Sequence, residues 1–273
     1  MTAQLARLTV YILRARPRVW CRVTAGMAIC VLIAFFTPFS LQAQDAVNDR
    51  RGKCKSTDLV FVIDDTFSLK GAIYDMKLES QRLLDLLDEV SGGDFQIGLV
   101  TFKDFVEVDA DLNAAPTPGE KKEVVRRIIH DLAASAGAAG PEASDEALRT
   151  VIFGLPAQGR EQTGDFQGKF TARTKIIVLI TDNLPGGFDD TFKDGEDDRA
   201  AAEVADAAFK RDILISSIYV PTSFYGLIPR VEDIMRDYAL ITGGLFAKVQ
   251  NSGHGTADAI ATIIDTCGRR PMV

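Results

Sequence analysis

Among its 273 residues the sequence has only two histidines, His130 and His254, one tryptophan and four cysteines. These scarcities narrow its chemistry before any motif is read. Two separated imidazoles, one late in a polar helical segment and one flanked by glycines, supply neither a zinc cage nor a histidine-centred catalytic group. No G-x-S-x-G elbow occurs and no glycine-rich phosphate loop follows the first apolar run, which argues against nucleophile-elbow hydrolases and nucleotide-binding loops. The paired aspartates of a haloacid-dehalogenase-type first loop are missing too. Thr66 stands two residues after Asp64, and Phe67 two after Asp65. No internal repeat is present, and the reading is of a protein that is not an enzyme.

Acidic residues are wholly absent from positions 1–43, which carry Arg7, Arg14, Arg16, Arg18 and Arg22 ahead of an apolar run over 23–39 and then Leu41-Gln42-Ala43. Basic, apolar and small in that order is the layout of a secretory signal peptide. The run is about the minimum length for a bilayer span and contains Pro38, so cleavage before Gln44 is expected, with an N-terminal membrane anchor as the alternative. Without this leader, 26 basic face 38 acidic residues, a formal charge of −12. That balance leaves nucleic acid an improbable partner. It also leaves two cysteines, Cys54 and Cys267, which bracket nearly everything else. In an oxidising compartment they are expected to form a disulfide, two free thiols being the alternative.

From residue 55 to 267 strands alternate with helices. Apolar runs at 58–63 and 175–181 have the continuous β-branched character of strands buried on both faces. Further strands are expected at 95–102, 213–220 and 245–249. A sixth is expected at 105–112, where Val106, Val108 and Ala110 alternate with Glu107, Asp109 and Asp111 as in an exposed antiparallel edge strand. Helical periodicity or capping signals mark 69–90, 120–134, 143–153, 195–212, 230–242 and 256–266. The loop 154–173 reads as flexible, polar and without chemistry. The expected fold is α/β and doubly wound: a mostly parallel six-stranded sheet with one antiparallel edge strand and helices on both faces. It forms a single domain over 55–267, between a short polar stub at 44–54 and a tail at 268–273.

The first buried strand ends in Asp64-Asp65-Thr66-Phe67-Ser68, placing a polar turn where open α/β sheets bind ligands. One carboxylate and two hydroxyls at alternate positions, Asp64, Thr66 and Ser68, suit a hard cation such as Mg2+ or Mn2+. The competing reading is local: Thr66 or Ser68 caps the next helix while Asp64 accepts from nearby backbone amides. A second acidic stretch, Asp189, Asp190, Asp194, Glu196, Asp197 and Asp198, lacks the D-x-D-x-D-G spacing of a calcium loop. It reads as a solvated loop feeding a helix N-terminus.

Three stretches in order carry a family resemblance: D-x-T-x-S at 64–68, Ile180-Thr181-Asp182, and Tyr238-Ala239-Leu240-Ile241-Thr242-Gly243-Gly244. Together they resemble the von Willebrand factor A domain, whose metal-ion-dependent adhesion site the first stretch matches. The resemblance implies that Asp64, Thr66, Ser68 and Asp182 converge on one weakly bound Mg2+ or Mn2+ ion. It also implies a protein ligand offering a carboxylate to that metal. In a subgroup of the family an aspartate is contributed from a G-G-G-D-x-P-E loop, and Ala139 stands in its place here. Ser135, Glu142 and Asp104 remain as auxiliary metal or ligand contacts, and Asp65 as a residue facing solvent or adding negative charge. The implied protein is extracytoplasmic, with a metal-independent envelope module or a metal-dependent hydrolase as lesser alternatives.

Overall fold

The structure is a computed structural model that describes residues 50–112, 117–135, 137, 140–189, 191–222 and 228–269. The 1–43 leader lies outside these residues. In chain order the elements are β1 (Thr57–Asp64), a 3-10 turn (Phe67–Leu69), α1 (Lys70–Ser91), β2 (Phe95–Phe102), β3 (Val106–Ala110), α2 (Pro118–Asp131), α3 (Ser144–Phe153), β4 (Gln162–Thr163), β5 (Thr174–Thr181), α4 (Asp197–Phe209), β6 (Leu214–Tyr219), α5 (Ile228–Thr242), β7 (Phe246–Lys248) and α6 (Thr256–Asp265). The strands form one sheet in the order β4-β3-β2-β1-β5-β6-β7. All neighbouring pairs are parallel except β2 with β3.

β1 is buried along its whole length, and its side chains divide by parity. Leu59, Phe61 and Ile63 pack into the layer of α1, α2 and α6, whereas Val60 and Val62 face α3, α4 and α5. A strand with both faces covered has no polar positions to alternate, hence its unbroken apolar sequence. Each such side chain contributes about 1.5–3 kcal/mol relative to exposure. α1 stops where expected: Gly92 takes a left-handed conformation (φ 68°) and its N–H donates to the Asp88 and Glu89 carbonyls. The Thr242-Gly243-Gly244 stretch is a packing clamp. Thr242 Oγ1 accepts from Ile215 N at 2.9 Å and donates to Tyr238 O at 2.8 Å, and a Cβ on Gly244 would lie 2.1 Å from Ile215 O.

The far edge of the sheet departs from expectation. β3 is antiparallel to β2 as read, but it is not outermost, because Gln162 and Thr163 of β4 pair beyond it with Val106 and Glu107. The loop holding β4 is not featureless. Phe166 is fully buried, Arg160 reaches Glu146 Oε2 at 2.7 Å, and Asp111 accepts from the N–H groups of Gln167 and Gly168. A two-residue strand has no periodicity to read, and its position is set by these distant anchors. Asp109 likewise does not face open water. It accepts from Thr101 Oγ1 at 2.9 Å, and burial, reinforced by the Glu107 and Asp65 charges, pushes it up to about 6.

Cys54 and Cys267 form a disulfide with a Cα–Cα distance of 5.3 Å across a separation of 213 residues. Residues just ahead of β1 dock on the end of α1, where Cys54 N donates to Val90 O at 2.9 Å. Among the described residues no helix is long and apolar enough to cross a membrane.

Two outcomes follow from this architecture. Closing so long a loop constrains the unfolded chain by about 5 kcal/mol on chain-entropy reasoning. Paired substitution of Cys54 and Cys267 by serine should therefore cost several kcal/mol in urea denaturation, and reduction of the native protein should do the same. Asp109 binds its proton more tightly in the folded than in the unfolded chain. Its contribution to stability is thus fully present below its unfolded value near 3.8 and is lost as pH rises to about 6. Asp109→Asn, which keeps an acceptor for Thr101, should raise stability at pH 7 and flatten that part of the profile. Equal denaturation midpoints for the two proteins across pH 4–7 would refute this account.

Candidate metal centre

Chain order reverses at β1, which has β2 on one side and β5 on the other. The loops leaving β1 and β5 therefore open on one crevice at the carboxyl end of the sheet. Register carries the two acids there together: Ile63 pairs with Ile180, so Asp64 is level with Thr181 and Asp182 follows directly.

Asp64 is fully buried. Its Oδ1 accepts from Thr66 N at 2.9 Å and from Thr66 Oγ1 at 2.6 Å, and its Oδ2 accepts from Thr181 Oγ1 at 2.7 Å. Thr66 Oγ1 lies 3.0 Å from Ser68 Oγ. Asp182 takes hydrogen bonds from Thr222 and Ser68, and the two carboxyls bond to each other. Burial and the adjacent Asp182 charge push Asp64 up to about 7. Burial raises Asp182 as well, against its hydroxyl donors. Both carboxyls are thus harder to ionise than an ordinary aspartate, the situation that a dication placed between them would relieve.

The local alternative explains part of this. The bond from Thr66 N to Asp64 is the backbone turn expected of an aspartate here. The hydroxyls, however, cap nothing: neither Thr66 before the 3-10 turn nor Leu69 before α1 makes a side-chain cap. Both hydroxyls turn instead toward the carboxyls. Among the described residues no three His, Cys, Asp or Glu side chains gather as a metal cage, so the donor set is two carboxyls plus hydroxyls, all hard oxygens. That chemistry fits Mg2+ or Mn2+ and lacks the nitrogen and sulfur that favour softer ions.

The auxiliary positions separate. Ser135 is brought against the cluster: it bridges to Thr66, and its N–H donates to Asp65 O at 2.9 Å. Gly137 presses so closely that a Cβ would sit 2.7 Å from Thr66 Cγ2 and 3.5 Å from Glu142 Oε1. Glu142 is buried, and its backbone is laced to the β5–α4 loop through Leu184 O at 2.9 Å and Gly186 N at 3.0 Å. Asn183 adds a bond from its side-chain amide to Gly140 O. Asp104 stays in the β2–β3 turn, with no hydrogen bond to the cluster among the described residues. Ala139 lies outside the described residues.

Asp65 corrects the sequence reading. It does not face solvent but is buried and paired with Lys103, Nζ to Oδ2 2.5 Å, both side chains being little exposed. Burial still pushes Asp65 up against the pull of that ammonium. Sequence reasoning also passed over Thr181 and Thr222. Thr181 could have been found, since it immediately precedes Asp182 at the end of a buried strand. Thr222 follows β6 in a loop with no comparable signal. Of the acidic stretch, Asp189 pairs with Lys193 and both Asp194 and Asp198 with Arg230, a solvated ion-paired surface, while Asp190 is outside the described residues.

No protein-family model and no curated protein matches the sequence. Solved structures do match. Proximal thread matrix protein 1 from the mussel byssus superposes with a TM-score of 0.53 at 17% identity, over 79% of this chain and 47% of that one. The same mussel protein is known with zinc in its metal-ion-dependent adhesion motif, TM-score 0.52 at 17% identity over 78% and 47%. The vWF domain of the type V pilus tip protein Mfa5 from Porphyromonas gingivalis gives 0.54 at 14% identity, over 80% of this chain and 98% of that one. The chain thus spans about half the length of the mussel protein and nearly all of the pilus-tip domain. With the sheet order, the crevice and these superpositions agreeing, the chain has the von Willebrand factor A fold.

Proposed function

We propose that this is an exported von Willebrand factor A-type protein that binds a protein partner through a divalent ion held at the crevice. The supporting observation is the convergence of Asp64, Thr66, Ser68 and Asp182, with both hydroxyls turned to the carboxyls rather than to helix N–H groups. These four residues would hold Mg2+ or Mn2+, directly or through water. When bound, the ion supplies a positive centre with a coordination position open to a carboxylate of the partner. The chain's own residues prepare that position. Thr181 and Thr222 orient Asp64 and Asp182, the Lys103–Asp65 pair takes the adjacent aspartate out of the crevice, and the laced loops at 140–142 and 183–187 hold its rim. Ser135, bridged to Thr66, and Glu142, beside Gly137, are further candidate oxygens.

We read the role as recognition rather than catalysis, in keeping with the placing of both histidines away from the crevice, His130 beside Asp131 and His254 beside Asp75. The leader over 1–43 is read as removed on export, leaving the domain over 55–267 in an extracytoplasmic compartment. The mussel and pilus-tip proteins belong to extracellular assemblies by their names, which supports this location.

Calorimetry should find Mg2+ or Mn2+ binding weakly. At a modest excess over Kd the ion should stabilise the fold by about 1–3 kcal/mol through RT ln(1 + [L]/Kd). Asp182→Ala should abolish that increment and leave the metal-free protein at least as stable as the parent, because it removes the charge that disfavours ionised Asp64. Ala139→Asp should tighten the ion. Partner capture from envelope extract should be lost in EDTA. Absence of binding at millimolar metal, together with capture that persists in EDTA, would overturn the proposal.

A further inference from the structure

A second site lies at the opposite pole. At the amino end of β5, about 20 Å along the strand from Asp182 at a strand rise near 3.3 Å per residue, a cavity of about 380 Å3 is walled by Phe153, Phe170 and Ile213 and rimmed by Lys169, Lys175 and Arg211. Its size falls at the lower end of small-molecule pockets.

The charges there are only partly offset, Lys175 feeling the Asp58 carboxylate at a distance. None of the three cations has a carboxylate partner among the described residues. Lys175 Nζ donates to the backbone carbonyl of Arg211 at 3.0 Å. The Arg211 guanidinium donates to Ala207 O at 3.0 Å and lies over the Phe153 ring at 4.5 Å. Among the described residues Lys169 has neither a hydrogen bond nor an ion pair. The nearby acids are engaged by backbone: Asp111 accepts from the N–H groups of Gln167 and Gly168, and Asp58 Oδ2 from those of Thr171 and Ala172. In a chain with a formal charge of −7, three cations converging without an ion-paired acid make a local field of the opposite sign to the whole. Phe153 remains 42% exposed beside them.

We infer that this cavity is a binding site for an amphipathic anion, a carboxylate, sulfate or phosphate head on an apolar body. The apolar body lies against Phe153, Phe170 and Ile213, and the head meets Lys169, Lys175 and Arg211. Arg211 serves both parts, because its guanidinium is stacked on the ring and still has N–H groups to offer an anion. The site is independent of the metal crevice. Its occupant is either a soluble organic anion or the headgroup of an anionic lipid, which share this chemistry.

Phenyl phosphate is the probe, titrated into the protein by NMR or calorimetry. Saturable binding is expected, with inorganic phosphate and phenol each binding at least about tenfold more weakly, since each carries half of the recognised chemistry. Combined Lys169→Gln and Arg211→Gln substitution should weaken phenyl phosphate at least about tenfold at unchanged melting temperature, and Phe153→Ser about fivefold. Arg211→Lys keeps the charge and guards against a folding defect; it should lie between parent and glutamine. Asp182→Ala should have no effect. Co-sedimentation with phosphatidylglycerol-containing vesicles but not with pure phosphatidylcholine, lost in the double variant, would assign the head to a lipid; failure to sediment while phenyl phosphate binds would assign it to a soluble anion. Phenyl phosphate binding no tighter than inorganic phosphate, or equally tight in the folded double variant, would overturn the inference.

Discussion

A carboxyl group at the end of a strand buried on both faces is the constraint that the rest of this structure answers to. β1 must be apolar throughout to occupy the centre of the sheet, yet it ends on Asp64, which is as buried as the residues before it. A charge there is costly unless hydrogen-bonded or neutralised. Three donors from Thr66 and Thr181 meet the first requirement. The second carboxyl at Asp182 works against it. Two acids in one crevice, with only hydroxyls and amides between them, are better explained by a ligand than by stability. An apolar pair would hold the fold at less cost.

The neighbouring aspartate shows how the same burden is handled where no ligand is called for. Asp65 is one residue along, points to the other side and is matched by Lys103 from the β2–β3 turn. The contrast separates a structural acid, compensated within the chain, from acids left to compensate one another. It also makes the β2–β3 turn part of the support of the crevice, through an interaction spanning 38 residues.

Much of this was legible in the sequence where a local pattern carries the information. β1 and β5 declare themselves because burial on both faces forbids polar residues, and Asp64 and Asp182 because they stop those runs. α1 ends at Gly92 because a left-handed residue is needed there. What could not be read depends on distant partners. β4 exists because Arg160 and Gln162 bond to α3, and no period of two can be seen in two residues. The orientation of Asp65 follows from a lysine that is adjacent only after folding. Asp109 sits in an alternating strand whose polar face would meet water on an isolated edge, but here it is largely withdrawn from water, bonded by Thr101 and acted on by the Glu107 and Asp65 charges. The basic cavity is assembled from a loop, a strand start and a helix end, none of them unusual alone.

The disulfide fixes more than stability. Cys54 enters the domain three residues before β1, and Cys267 leaves it just after α6, so both chain exits are tied together at the pole opposite the crevice. Tension applied between an object gripped at the crevice and the flanking chain therefore runs along the axis of β1. There the strand is held in parallel register by β2 on one side and β5 on the other. Pulled this way, its two ladders resist in shear, many bonds sharing the load, instead of opening one after another like a zipper. The covalent tie at Cys54 also stops the load from peeling α6 away.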